Sequence, residues 1–562
     1  MLAATRTALP IRSSLPAMLI PILLFAASGA FVAWRNTQVG VLVDLAYIVN
    51  IAMRIALGDV PYAQFPLAQA PGTFLIQAAL IKLLGPHYLV QIAYATIVGG
   101  LATVLTYSIA HRILEQAVAA PRGLALVLSV PLIPLGVYAI APNPFYDPDA
   151  CVAVLGAIAA TLAARDRSTR GRWLIAGALL TVPLLIKQNI GGAFVISAIA
   201  VLALEAASPT ADALARAGLR WCLAGVAAAL AAELLVLQAV IGIDSYVRWA
   251  WTYALNGRGV TLERLREFAD PLVLWPAALL LLLVVVAVRL PSRYRGPLFA
   301  AGLCVALVAS VFAPVVFLAV PQFFPPLLVA AGALSCARAA RHSPRFDVLL
   351  PLVLGATTLG TLQSQGLVNS TFGIFPLLVL AIAALLRDLA FFVPSPPRLA
   401  PLMGAILALI LTVVGTGATV LNVRLRFIDA NAAGPVMVSS FPSLAGLSAR
   451  GPYLADLDAI LYWTREHVAA DEPFVFLPGE DPAYFALARK PALPSVYFYD
   501  VATPYTPAEL AVFADEVGLR WVIVKDRLQL CCEPPLEQEM VARLTQRATL
   551  VTTVGAYRVF RR

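Results

Sequence analysis

Apolar positions in this chain gather into long runs separated by short polar segments. A helix that crosses hydrocarbon needs about 20 mostly apolar residues. Runs of that kind lie near 16–34, 88–110, 122–140, 150–164, 173–205, 220–241, 271–288, 297–319, 321–337, 346–363, 371–386 and 400–422. The 173–205 run is too long for one span. It is interrupted by Lys187-Gln188-Asn189 with Gly191-Gly192 behind, which predicts two short spans meeting at a polar turn. The pattern therefore predicts a polytopic α-helical membrane protein of about 13 spans. The first run is long and has no clear small-residue cleavage site, which predicts a retained span rather than a removed leader.

Composition agrees with the pattern. The 562 residues are 60% hydrophobic and 13% charged, against roughly 25% charged in a soluble domain. This excludes a soluble enzyme, a disordered chain and a disulfide-rich scaffold. Six cysteines (Cys151, Cys222, Cys304, Cys336, Cys531 and Cys532) show no metal-ligand spacing, and Cys531-Cys532, being adjacent, suits a relaxed disulfide poorly.

The net charge of +9 would suggest nucleic acid if it were spread evenly. It is not. Of the 40 Lys+Arg and 31 Asp+Glu, 26 and 15 precede Arg424, leaving 14 and 16 in the tail. The positive excess belongs to the spans' short loops, where it sets orientation, and no nucleic-acid partner is indicated. With the N-terminus inside, 18 of those 26 cations fall on cytoplasmic segments and 8 on the opposite side. An odd number of spans then places the tail outside. The expected domains are residues 1–423 in the membrane and 424–562 as an extracytoplasmic α/β domain.

The outer loops are where chemistry could sit. The first, 35–87, is itself amphipathic. Asp44 to Leu57 reads as a helix with Leu45, Ile48, Ile51, Ala52 and Ile55 on one side, suited to lie in the interface. Pro71-Gly72 opens a second short helix running to Leu84, and a later loop, 242–270, is rich in Trp and Arg. In the tail, helical patterns at 456–469 and 507–517 alternate with strand patterns at 474–477, 521–524, 550–554 and 557–560. That order predicts a small α/β domain with a largely parallel sheet. Trp463, Tyr484, Tyr497 and Tyr499 read as its core aromatics, with sugar or acceptor contacts as the alternative.

Carboxylates at a membrane lip are costly unless paired or functional. Asp44 opens the first loop helix, where the macrodipole alone would favour it. Asn143-Pro144-Phe145-Tyr146-Asp147-Pro148-Asp149 hangs two carboxylates over the next lip, with Asp147 readable as an N-cap and Pro148 as the first helical residue. Lys187 sits at the polar turn and Arg54 one helical face along from Asp44 and Tyr47. Each cation reads either as a headgroup contact or as an anion site for a lipid phosphate. Glu233 is the one acidic residue well inside a span.

Taken together, Asp44-Leu-Ala-Tyr47, Gly58-Asp-Val-Pro61-Tyr62, Ala70-Pro71-Gly72 through Gln77, and Lys82-Leu-Leu-Gly85 resemble the first extracytoplasmic loop of GT-C membrane glycosyltransferases. The branch is the protein O-mannosyltransferase and aminoarabinose-transferase-like one, glycosyltransferase family 39 in the broad sense. Tyr146-Asp147-Pro148-Asp149-Ala150 is similar to that family's second acidic motif, and Lys187-Gln188-Asn189-Ile190-Gly191 to its lysine-containing turn. One departure stands out. Many members carry an acidic pair in the first loop, whereas Leu45 follows Asp44 here.

The resemblance implies transfer of a sugar from a polyprenyl-phosphate donor to an acceptor hydroxyl on a glycolipid, polysaccharide or protein, with inversion, at the outer lip of a bacterial inner membrane. It implies Asp44 as general base, Asp147 as an orienting carboxylate with Asp149 in reserve, and Lys187 and Arg54 on the lipid phosphate. Tyr47, Tyr62, Tyr146 and Gln188 would line the substrate site. Some members use a divalent metal and others do not, and two separated carboxylates make a thin ligand set. Two other readings stay open, a glycolipid transporter or flippase and a catalytically inactive envelope scaffold.

Overall fold

The computed structural model describes residues 15–38, 42–115, 117–118, 120–140, 142–255, 316–369, 374–392, 399–421, 434–498, 503–526, 528 and 535–562. The expected span at 271–288, most of that at 297–319, Tyr499 and the Cys531-Cys532 pair lie outside them. The membrane part runs α1 (Leu15–Asn36), α2 (Leu42–Ala56), α3 (Gly72–Leu84), α4 (Tyr88–Leu114), α5 (Pro121–Ser129), α6 (Leu132–Leu135), α7 (Tyr146–Asp166), α8 (Arg170–Ile186) and α9 (Gln188–Ala207). There follow α10 (Ala213–Val240), α11 (Ile243–Tyr246), a π-helical segment (Val247–Tyr253), α12 (Val316–Arg341), α13 (Phe346–Asn369), α14 (Phe375–Phe392) and α15 (Leu399–Leu421).

Among the described residues six helices are long and apolar enough to cross a membrane: α1, α4, α7, α9, α10 and α14. Their faces tell them apart. Met18, Leu19, Ile22 and Leu23 of α1 and Leu234, Leu235 and Val236 of α10 are exposed, as on a lipid-facing helix. By contrast α14 is buried on every side from Phe375 to Leu389, the pattern of a central helix.

The 173–205 run breaks where its polar residues predict, with Lys187 alone in extended conformation between α8 and α9. The 122–140 run does not form one span. Pro131, which lacks an N–H, separates α5 from α6, and Gly136 leaves the helix extended. Residues 137–140 and 142–145 then pass through the interior without helix, which is tolerated at membrane depth only where backbone is buried in protein.

A second correction concerns α2. It does not lie in the interface with one face to lipid. Ile48 and Ile51 pack into the core of the membrane helices, while Leu45, Val49, Ala52 and Met53 pack against Tyr453, Leu457, Tyr484 and Phe485 of the tail. The apolar face that the sequence offers to lipid is covered by the chain itself, partly by the membrane helices and partly by the C-terminal part.

Among its described residues the tail holds two sheets. Strands β1 (Val436–Val438) and β2 (Ser448–Arg450) form an antiparallel pair, tied to the end of α1 by Ser448 N donating to Thr37 O at 2.6 Å. The larger sheet contains β3 (Phe474–Leu477), β4 (Trp521–Lys525), β5 (Thr549–Val554) and β6 (Tyr557–Arg561) in the order β3-β4-β6-β5. Only β3–β4 is parallel, so the sheet is mixed rather than largely parallel. Two residues, Gly555 and Ala556, separate β5 from β6, and so short a link permits only an antiparallel hairpin. Gly555 supplies the positive φ of 54°.

Alternation along the strands sorts the two faces. Phe474, Phe476, Trp521, Ile523, Tyr557 and Val559 face the helix Tyr453–His467 and the short helix Ala483–Leu487, and the short helix packs on α2. Val475, Leu477, Val522 and Val524 face the helices Pro507–Glu516 and Pro535–Thr545 through Leu510, Ala514, Met540 and Leu544.

Candidate active site

The site is built where helices begin. Phe145 is extended and α7 starts at Tyr146. Asp147 and Asp149 therefore lie inside its first turn and Asp147 is not the cap. Carboxylates are favoured there by the positive end of the helix dipole. Lys187 is simultaneously the C-cap of α8 and the N-cap of α9, so it stands at the negative end of the α8 dipole. Gly191 makes the turn possible, because a Cβ there would lie 2.2 Å from Leu184 backbone atoms. The start of α3 packs on the same turn: a Cβ at Gly72 would sit 2.7 Å from Leu185 O. The N-termini of α3, α7 and α9 thus converge, an arrangement that favours negative charge.

Lys187 donates to Asp147 Oδ1, with both side chains buried, and its Nζ lies 4.8 Å from the Tyr146 ring centroid. Asp149 is held by three hydroxyls: Thr73 donates to Oδ2 at 2.7 Å, and Tyr94 and Tyr138 to Oδ1 at 2.6 and 2.5 Å. Thr73 comes from α3, Tyr94 from α4, and Tyr138 from the non-helical stretch, where it adopts φ 62°. Asp149 therefore ties three segments to α7. One turn from Thr73 and from Tyr94, the buried amides of Gln77 and Gln91 have no protein partner, so the polar interior continues between α3 and α4.

A cavity of about 150 Å³ opens beside Lys187. One wall is polar, with Gln69, Tyr146, Lys187, Gln188 and Asn189. The other is apolar, with Ala250, Trp251, Ala254 and Leu255. Trp251 and Leu255 are exposed on their outer side, so the apolar wall leads outward. Gln188 braces the cavity. Its Oε1 accepts from Ala70 N at 3.0 Å and its Nε2 donates to Ala68 O and Ala250 O at 3.1 and 2.7 Å. It thereby links the first loop to the π-helical segment.

The other expected site residues divide. Tyr47 donates to Gln69 Oε1 at 2.8 Å and meets Phe74 edge-on, its ring centroid 5.7 Å away. It therefore reaches the polar wall of the cavity. Asp44 lies three residues earlier on α2, half-buried, on the helix side that Tyr47 occupies. Tyr62 is buried. Its hydroxyl donates to Gln69 O at 2.6 Å and its ring meets Tyr246 at 5.2 Å, so it shapes the loop behind the wall. Burial pushes that phenol well above its ordinary range.

Arg54 is turned away from the cavity, to the tail. Its Nε donates to Asp59 Oδ2 at 2.5 Å and its guanidinium to Leu493 O and Pro494 O at 2.9 and 3.1 Å. Burial lowers its pKa, with Asp59 opposing the shift. Lys490 also pairs with Asp59. Arg54 is neither at the headgroups nor at the Lys187 cavity.

A divalent metal fits the described donors poorly. No group of three His, Cys, Asp or Glu side chains gathers among the described residues. Asp147 faces an ammonium, and the oxygens of Asp149 already accept from three hydroxyls.

Residues that the sequence reading missed include Gln69, Thr73, Tyr94, Tyr138 and the apolar wall from Ala250 to Leu255. The Trp-rich character of the 242–270 loop signalled the wall. Nothing local signalled the donors to Asp149.

No protein-family model and no curated protein matches the chain. Among solved structures it is similar to two crystal structures of ArnT from Cupriavidus metallidurans. One is bound to undecaprenyl phosphate, at 14% identity and a TM-score of 0.46 over 96% of this chain and 97% of that one. The other is in the apo state, at 13% identity and a TM-score of 0.43 over 97% and 98%. At that identity and score, neither assigns a role to any residue of this chain.

Proposed function

We propose that this chain is an integral-membrane glycosyltransferase that moves a sugar from a polyprenyl-phosphate donor to an acceptor hydroxyl at the outer lip of a bacterial inner membrane. The N-terminus is cytoplasmic, residues 1–423 form the membrane catalytic part, and 424–562 lie outside. The observation that carries the reading is the Lys187 cavity, a cationic polar wall at three converging helix N-termini facing an apolar wall that leads outward. A phosphate suits the first and a polyprenyl chain the second.

In the reaction the acceptor oxygen attacks the anomeric carbon while the bond from that carbon to the phosphate oxygen breaks. The acceptor proton passes to Asp44, and the electron pair of the broken bond leaves on the lipid phosphate. Attack from the face opposite the leaving group inverts the centre. Lys187 stabilises the departing phosphate, Asp147 holds Lys187 in place, and Asp149 fixes α3 against α7. Tyr47, Gln69, Tyr146 and Gln188 shape the sugar end. Arg54 and Tyr62 support the loop from outside the reacting atoms.

The test is transfer by purified protein from a synthetic polyprenyl-phosphate sugar to a hydroxyl acceptor. Wild type forms a new glycosidic bond, and Asp44→Asn slows it by about 10²- to 10⁴-fold, the usual worth of a general base. Undiminished transfer by Asp44→Asn removes that residue from the mechanism. Donor binding or translocation by wild type with no new bond favours the transporter reading.

A further inference from the structure

A second charged cavity lies at the opposite end of the helices. α7 runs from Tyr146, beside Lys187, to Arg165, which donates to Asp347 Oδ1 at 2.9 Å. At 1.5 Å per residue, the two ends are about 30 Å apart. At the far end α12 finishes, α13 begins and α14 finishes, and between them is a cavity of about 250 Å³ lined by Arg338, His342, Ser343, Arg345, Val348 and Phe391.

The local charge balance is positive. Asp388 is fully buried and accepts from Ser335 at 2.8 Å, Arg338 at 2.8 Å and Arg387 at 2.7 Å. Asp347 accepts from Arg165 and Arg345, and Glu205 from Arg165 at 2.5 Å. Arg341 adds its charge over the Phe392 ring at 4.8 Å. Five arginines meet three carboxylates, and Arg338, Arg345 and His342 face the open volume.

The cavity also has an apolar exit. Phe391 is partly exposed at its rim, and Leu352 and Leu359 of α13 are exposed about one and about three turns beyond Val348. A phosphate held by the arginines and Ser343 would have an alkyl chain's path beside it along α13. Cationic pockets between membrane helices with such a path suit anionic headgroups.

We propose that this cavity binds a phosphate group, carried by an anionic phospholipid of the leaflet opposite the Lys187 cavity. The site does not depend on the glycosyltransferase reading, since it shares no residue with it.

The experiment uses full-length purified protein in detergent, with lipid retention read by native mass spectrometry. Dioleoylphosphatidylglycerol and dioleoylphosphatidylcholine are offered in equal amounts, with and without excess inorganic phosphate. Wild type retains the anionic lipid preferentially, and Arg345→Gln lowers that preference about fivefold, the worth of one cation near such a headgroup. Ser343→Trp, which fills the cavity without removing charge, lowers it as well. Arg345→Lys restores it, and Arg112→Gln, at the same end but outside the cavity, leaves it unchanged. If excess inorganic phosphate displaces the lipid in wild type, the site recognises phosphate alone. If it does not, the acyl chain is part of the recognition. Equal retention of both lipids, or a preference that neither Arg345→Gln nor Ser343→Trp changes, overturns the proposal.

Discussion

Lys187 hydrogen-bonds Asp147 across two different helix ends, the break between α8 and α9 and the first turn of α7. Both side chains are almost fully removed from solvent. A buried pair of this kind is costly to break from one side, because the remaining charge has no compensation. Lys187→Met or Asp147→Leu alone should destabilise the protein by about 3–5 kcal/mol. The double variant should recover most of that stability and none of the transfer activity. Thermal unfolding in detergent, with the transfer assay on the same samples, checks both halves. Activity in a stable double variant would show the pair to be architecture only.

Asp149 should behave differently. Its three hydroxyl donors come from separate segments, so Asp149→Leu leaves Thr73, Tyr94 and Tyr138 without their acceptor. A buried polar group stripped of its partner costs about 1–3 kcal/mol. Tyr94→Phe removes one donor and should cost about 1 kcal/mol. Unfolding midpoints of the two variants should therefore rank in that order, and an Asp149→Leu protein as stable as wild type would contradict the described network.

Two side chains of α2, Arg54 and Asn50, fasten the tail to that helix, and Asn50 does so with both ends of its amide. Asn50 Nδ2 donates to Asp481 O at 2.9 Å, and its Oδ1 accepts from Phe485 N at 3.0 Å. Asn50→Leu should loosen the tail from α2 and increase protease nicking between 434 and 498, while the membrane helices keep their thermal transition. Because Asn50 shares a helix with Asp44 and Tyr47, transfer should fall too. A nicking rate equal to wild type would place the fastening elsewhere.

The alkaline limit of the tail follows from a buried cluster. Lys525 pairs with Glu480 at 2.7 Å and with Asp481 at 2.9 Å, and Tyr453 and Tyr557 donate to Asp481. Burial lowers the lysine's pKa, but Asp481 and Glu480 outweigh it and hold it above 10.5. Burial first, then Asp481, push both phenols well above 10.0. A lysine raised in the folded state contributes stability that is full below its unfolded value and lost as pH rises through the folded one. The raised phenols lose theirs in the same direction. Urea unfolding followed by tryptophan emission, with Trp521→Phe to assign the tail signal, should give a flat stability from pH 7 to about 10 and a decline above it. A decline centred near neutrality would contradict the pairing.

Much of this architecture is legible in the sequence because it is local. The break at Lys187, the short helix opened by Pro71-Gly72 and the strand segments of the tail all rest on residues within one or two turns of each other. What escaped is what depends on distant partners. Arg54 looks like a headgroup cation until Leu493 and Pro494, more than 400 positions away, supply its acceptors. The apolar face of α2 looks interfacial because nothing in its own residues says that the membrane helices and the tail together cover it. Asp149 reads as a helix-start carboxylate, and only the positive-φ turn at Tyr138 brings that phenol to it.

The account depends most on Lys187 meeting a lipid-borne phosphate, and affinity for polyprenyl phosphate itself, without a sugar, tests this directly. The measurement compares wild type with Lys187→Gln/Asp147→Asn, in which the pair stays neutral and buried. The account predicts binding weakened about 10- to 100-fold, the worth of one charge-assisted hydrogen bond. Equal affinity in the two proteins would contradict it.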